Sequence, residues 1–144
     1  MSRHRYGVAE WLLGFCGVWQ VGLGIYFVVL RPALLPEDLR YMGADLVTLQ
    51  AAAPALVDWL RKVFTVMGGF MAGAGVLTTY LAWKVLPLRP PGATAGLFIA
   101  GALTVGLMSV VNFALASDFR WLLALPPIAW AVALLLYDHG PEFR

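Results

Sequence analysis

Apolar positions fall into four long stretches with little charge, at 11–30, 63–83, 93–116 and 119–137, and polar residues gather between them. Helix rises about 1.5 Å per residue, so a run of about 20 apolar residues just crosses a hydrocarbon layer about 30 Å thick. The pattern predicts an all-α integral membrane protein, one polytopic domain over 1–144, built as a bundle of four transmembrane helices. The spans are expected at about 9–31, 60–84, 93–115 and 118–137, with a short extracytoplasmic helical cap at about 32–58 between the first two.

Inside the runs, small and polar residues are not scattered. The second run carries MGGFMAGAG, a poor helix in water because glycine gives up more backbone entropy than alanine. In lipid, small residues let helix backbones approach closely. Gly68, Ala72, Gly75 and Thr79 recur at 4-3-4 spacing on one face, and Gly69 and Gly73 form a GxxxG beside it, so this helix is expected to be a packing helix. The first run places Glu10, Gly14, Gly17, Gln20 and Gly24 on one side, which is expected to face the bundle. In the third, Gly96, Ala100 and Thr104 continue a small face ending near Ser109 and Asn112. Pro126-Pro127 in the fourth predicts a kink, because Leu122 and Leu123 lose their usual amide donors.

The connections have their own signals. In LLPEDLRYMG, Pro36 suits a first helical turn, Glu37 and Asp38 complement the positive end of the helix dipole, and Gly43 can stop the helix. Asp45 can cap a second short helix, its leucines turned to the bundle or to headgroups, and Pro54 precedes an amphipathic entry through Leu56, Trp59 and Leu60. KVLPLRPPG reads as a tight turn that ends the second helix, and Ser117-Asp118 as the cap of the fourth.

Composition narrows the function classes. The chain is 61% hydrophobic and 12% charged, against about a quarter charged in soluble domains. A net charge of +2 that is scattered along the chain argues against a nucleic-acid partner. Cys16 is the only cysteine, and His4 and His139 lie near the two ends, so no metal or haem ligand set is read and no cofactor is expected. No phosphate-binding loop and no nucleophile with its base is present, so no catalytic residue is named and no enzyme is expected. Lys and Arg divide equally between the two sides: Arg3, Arg5, Lys84, Arg89 and Arg144 against Arg31, Arg40, Arg61, Lys62 and Arg120. Arg3 and Arg5 ahead of the first run favour both termini in the cytoplasm.

Two residue sets could carry chemistry. Arg40, Arg61 and Arg120 could build a headgroup or small-anion site, because guanidinium forks match phosphate and carboxylate geometry. The bland alternative is a solvated collar of charges marking helix ends. Glu10, Gln20 and Asn112 are the intramembrane polar groups. Glu10 is expected near headgroups, within reach of Lys84 or Arg89, with Gln20 and Asn112 deeper as helix–helix hydrogen bonds.

LLPEDLRYMGADLVTLQ followed by LVDWLRKVFTVMGGFMAGAGVL resembles a group of uncharacterised bacterial inner-membrane proteins over about 34–77. Where those carry a His-Asp-Arg run before the Gly-Gly pair, this chain has LRKVFTVM, so no role resting on that run carries over. The resemblance implies a layout and a bacterial inner-membrane location. The expected function is non-enzymatic: an accessory or structural subunit, or a binder of lipid or a small amphiphile. Its partners would be the bilayer and a second copy or a membrane partner protein. The alternatives are a small permeation component acting as an oligomer through Gln20 and Asn112, and, last, a headgroup enzyme using Asp58.

Overall fold

A computed structural model describes residues 7–139. Those residues are helical with short connections and contain no strand. Four helices are long and apolar enough to cross a membrane: α1 (Val8–Leu30), α4 (Leu56–Leu88), α5 (Ala93–Ala114) and α6 (Arg120–Asp138). Two short helices, α2 (Pro36–Met42) and α3 (Leu46–Ala52), lie between the first pair. The protein is a multi-pass membrane protein. Arg3, His4, Arg5, Tyr6 and Arg144 lie outside the described residues.

Polar links establish the topology. Ser117, in the α5–α6 turn, bonds Glu37 of α2, so that turn and the cap share one side. Arg89, in the α4–α5 turn, donates to the Tyr137 carbonyl near the end of α6, so the other side holds the start of α1 and the end of α6. The helices therefore run up, down, up, down. α4 packs chiefly on α1, α1 on α6, and α6 on α5; no comparably extensive contact joins α4 to α5. The bundle is an open row rather than a closed ring.

Two kinds of packing hold the row. Between α1 and α4 the backbones almost touch. A methyl group on Gly24 would lie 2.5 Å from the Gly68 carbonyl oxygen and the Ala72 nitrogen, and one on Gly75 would lie 2.5 Å from the Gly17 carbonyl oxygen. Gly17 and Gly24, like Gly68 and Gly75, are seven residues apart. Seven residues are nearly two turns, the spacing that keeps a seam in register at a shallow left-handed crossing. Between α5 and α6 the contact is keyed by one side chain: the Trp130 indole lies over Gly101 and donates to the Leu97 carbonyl at 3.0 Å. A cluster of Leu13, Cys16, Ala82, Leu86, Val105, Trp130, Ala133 and Tyr137 fills the half of the bundle nearer residues 7 and 139.

Several boundaries move from the expected ones. α4 starts at Leu56 and runs 33 residues, about 50 Å, so both its ends project beyond the hydrocarbon. The chain does not turn at Lys84. It stays helical through a widened turn at Leu81–Val85 and a 3-10 turn at Leu86–Leu88, which tolerates Pro87 in its first turn, and breaks only at Arg89 with φ 46°. Ser117 is not the N-cap of α6; Phe119 holds that position, and the Ser117 hydroxyl accepts the Phe119 amide at 3.2 Å. The regular α-helical bonding of α6 is interrupted at Ala124, two residues before the first of the two prolines. Asp45 caps α3, accepting the Thr48 amide and hydroxyl at 2.8 Å each, and Gly43 ends α2 with φ 64°. The cap's apolar side chains divide: Ala33 is buried and Leu34, Leu35, Leu39 and Leu49 are half-buried, whereas Tyr41, Met42, Leu46 and Val47 are exposed.

Candidate functional site

The three arginines expected to form an anion site do not converge. Arg40 pairs with Asp118 at 3.1 Å, and Arg120 donates to the Ser117 carbonyl at 3.4 Å, so these two meet at the α5–α6 turn. Arg61 pairs with its own Asp58 at 3.7 Å and shares no partner with the other two. Both ion pairs are exposed, and such pairs contribute less than about 1 kcal/mol. The expected three-arginine site is thus replaced by a link between cap and turn plus a local pair on α4.

The organised cation is Arg31, which the sequence reading left among the loop charges. Its side chain is only 8% exposed. The guanidinium lies 3.6 Å from the Phe64 ring centre and 5.2 Å from that of Phe27, pairs with Asp38 at 3.3 Å, and donates to the Pro32 carbonyl at 2.8 Å. Asp38 also accepts the Leu35 amide at 2.8 Å, which ties the start of α2 to the same group. A desolvated cation over aromatic faces is worth about 2 kcal/mol. Phe27 at i−4 was the one available sign, because residues four apart share a helix face. Nothing local announced Phe64.

Glu37 is the second residue missed. It is buried and accepts the Ser117 hydroxyl at 2.8 Å. Arg31 binds the cap to α1 and α4, and Glu37 with Arg40 binds it to the α5–α6 turn. Hence the cap bridges the helix pairs on the side where no apolar core does.

The intramembrane polar residues separate by depth. Glu10 is buried at the start of α1, beside Gly7, but forms no ion pair with Lys84 or Arg89. Arg89 is engaged instead with Tyr137, its guanidinium 4.8 Å from that ring. Asn112 is not at the midplane: it lies two residues from the end of α5, half-buried, and donates to the Met108 carbonyl of its own helix at 2.9 Å. Gln20 is deep in α1 and 4% exposed, and both of its amide atoms are enclosed without a partner. The Trp19 indole N–H beside it is in the same state.

The small-residue faces also divide. Gly68 and Gly75 are buried against α1, with Ala72 beside them. Gly69 and Gly73, expected to pack, have nothing within 4 Å of the position a methyl group would take, and both are exposed. The reason is angular: one residue is about 100° of helix, so a pair one step from a buried seam points away from it. The third span repeats this. Leu97, Gly101, Val105 and Ser109 are buried, whereas Gly96 and Ala100 face outward and Thr104 is half-buried. An apolar groove of about 150 Å³ opens between α5 and α6, lined by Phe98, Gly101, Val105, Pro127, Trp130 and Leu134 among others.

Among the described residues no three His, Cys, Asp or Glu side chains gather as a metal site. Comparison with protein-family models, curated proteins and solved structures finds no match to this chain.

Proposed function

We propose that this chain is a non-catalytic accessory subunit of the bacterial inner membrane, with both termini in the cytoplasm and the cap outside. It packs through α4 and α5 against another membrane helix, supplied by a second copy or by a different membrane protein. The observation that carries this reading is the outward placement of Gly69, Gly73 and Gly96, each with open space where a side chain would be. In lipid such positions allow close backbone approach, and this chain already uses the same device internally between α1 and α4. Arg3 and Arg5 ahead of α1 support the orientation. The resemblance over about 34–77 supports the location.

Because Gly69 and Gly73 touch nothing within the chain, Gly69→Leu with Gly73→Leu separates assembly from folding. Native mass spectrometry of protein released gently from its own membranes is expected to show the larger assembly in wild type and its loss in the double variant, with unfolding unchanged. An unchanged assembly in the variant, or a bare monomer in wild type, overturns the reading. A second reading, a binder of lipid or a small amphiphile, is favoured by the groove between α5 and α6; a retained adduct of defined mass in the same spectra would select it. Permeation by an oligomer loses one of its two groups, since Asn112 bonds its own helix near the membrane surface.

A further inference from the structure

The apolar groove between α5 and α6 runs down to a rim that carries charges of both signs. On α6 its lining passes from Pro127 through Ala131 to Leu134, toward the α4–α5 turn. Ala131, Leu134 and Asp138 recur at 3-4 spacing on one helix face, so Asp138 follows the last lining residue by one turn, about 6 Å. Beside it, Arg89 donates from Nη1 to the carbonyl of Tyr137, the residue before Asp138, at 3.0 Å. The other N–H groups of Arg89 have no hydrogen-bond partner among the described residues. Arg89 and Asp138 are both exposed, and neither belongs to an ion pair among the described residues. Arg89 also stands at φ 46°, a left-handed conformation that favours glycine, so the chain keeps a guanidinium here against its local backbone preference.

Size and charge together select the occupant. The groove holds about 150 Å³. A void of that order takes benzene, whereas pockets for larger ring ligands start at roughly 300 Å³ and a helix is about 10 Å across. The bilayer supplies a chain of the right bore along this axis, an acyl tail with its headgroup at the depth of Arg89 and Asp138. A purely anionic headgroup answers Arg89 and is repelled by Asp138. A trimethylammonium headgroup meets Asp138 without a hydrogen bond. A primary ammonium joined to a phosphate answers both charges. We propose that the α5–α6 groove seats one acyl chain of an ethanolamine-type phospholipid, with its phosphate on Arg89 and its ammonium on Asp138. This site deepens the lipid-binding reading given above and rests on it; it is independent of the outward glycines.

The test places the full chain in nanodiscs of equal parts phosphatidylethanolamine and phosphatidylglycerol with identical acyl chains, and weighs the released protein by native mass spectrometry. Wild type is expected to retain a phospholipid, ethanolamine over glycerol by about threefold. Asp138→Asn is expected to bring that ratio to about one. Ala131→Phe, whose ring fills the groove from an exposed position, is expected to lose bound lipid of both kinds. Arg89→Gly, which suits the positive φ and removes the guanidinium, is expected to lower retention of both lipids alike, because both carry a phosphate. Equal retention in wild type, or an unchanged ratio in Asp138→Asn, overturns the headgroup assignment and leaves the lipid-binding reading standing. No retained lipid in wild type overturns both. Lipid retained unchanged in Ala131→Phe overturns the groove as its seat. A small amphiphile or a protein lost in that variant in place of a phospholipid overturns the occupant. Asp138 and Ala131 are exposed, so their comparisons stand should Arg89→Gly fold poorly.

Discussion

The two halves of the bundle are closed by different physics. Nearer residues 7 and 139, side chains from all four spans interlock around Trp130, with Leu13, Leu86, Ala133 and Tyr137. On the cap side no residue of α6 belongs to that cluster, and the buried groups there include Ser109, Ser117 and Glu37. The cap-side ends are joined through α2 instead: Arg31 reaches α4 at Phe64, and Glu37 and Arg40 reach the α5–α6 turn. Apolar interlocking is dispersed over many atoms and does not depend on pH or salt. A few directional polar links are strong only where they are buried, and they can be released singly.

The comparison breaks first at Trp130. Trp130→Ala removes the indole that fills the seam over Gly101 and its bond to Leu97, and is expected to cost about 3 kcal/mol in detergent-titration unfolding. If the loss is below that of the cap variants, the halves do not differ as described. Glu37→Ala comes next, at about 2 kcal/mol, because it deletes a buried charged hydrogen bond. Its effect is expected mainly as faster protease cleavage between 31 and 55, with the terminal half still protected. Arg31→Lys sharpens the point at about 1 kcal/mol: the positive charge stays while the planar stacking on Phe64 is lost. Arg40→Ala is expected to fall below about 0.5 kcal/mol, since its pair with Asp118 is exposed.

The smallest effect is a pH dependence confined to α3. The Thr48 amide and hydroxyl hold the Asp45 carboxyl below the usual carboxylate range. A lowered folded-state value means the cap is fully effective above the ordinary Asp pKa and is lost as pH falls through the lowered one. Protection of the amides across 46–52, taken as exchange relative to the intrinsic rate at each pH, is expected to fall on acidification in wild type and to be low and flat with pH in Asp45→Ala.

Much of this was legible before any coordinates. Four apolar runs bounded by charges and prolines require four spans, because backbone polar groups in lipid must be satisfied inside a helix. Local chemistry likewise marked Asp45, Gly43 and the weak point at Pro126-Pro127. The site residues were legible only as types. Glycine at 4-3-4 spacing announces a face, but Gly68 and Gly75 meet α1 while Gly69 and Gly73 meet nothing. The hydropathy contrast that orients a helix in water is missing in lipid, where inward and outward faces are both apolar.

Chain order and composition alone therefore determined the membrane class, the span number and the helix ends at Gly43 and Asp45, all of which depend on interactions local in the chain. Tertiary structure decided which of two similar small faces is buried, that Arg31 rather than Arg61 is enclosed, that Glu37 meets Ser117, and that Cys16 meets Pro126. Each of these depends on partners tens of residues away, and the helix row that brings them together is set by close backbone approach and a few long-range hydrogen bonds that leave no periodic trace in the chain.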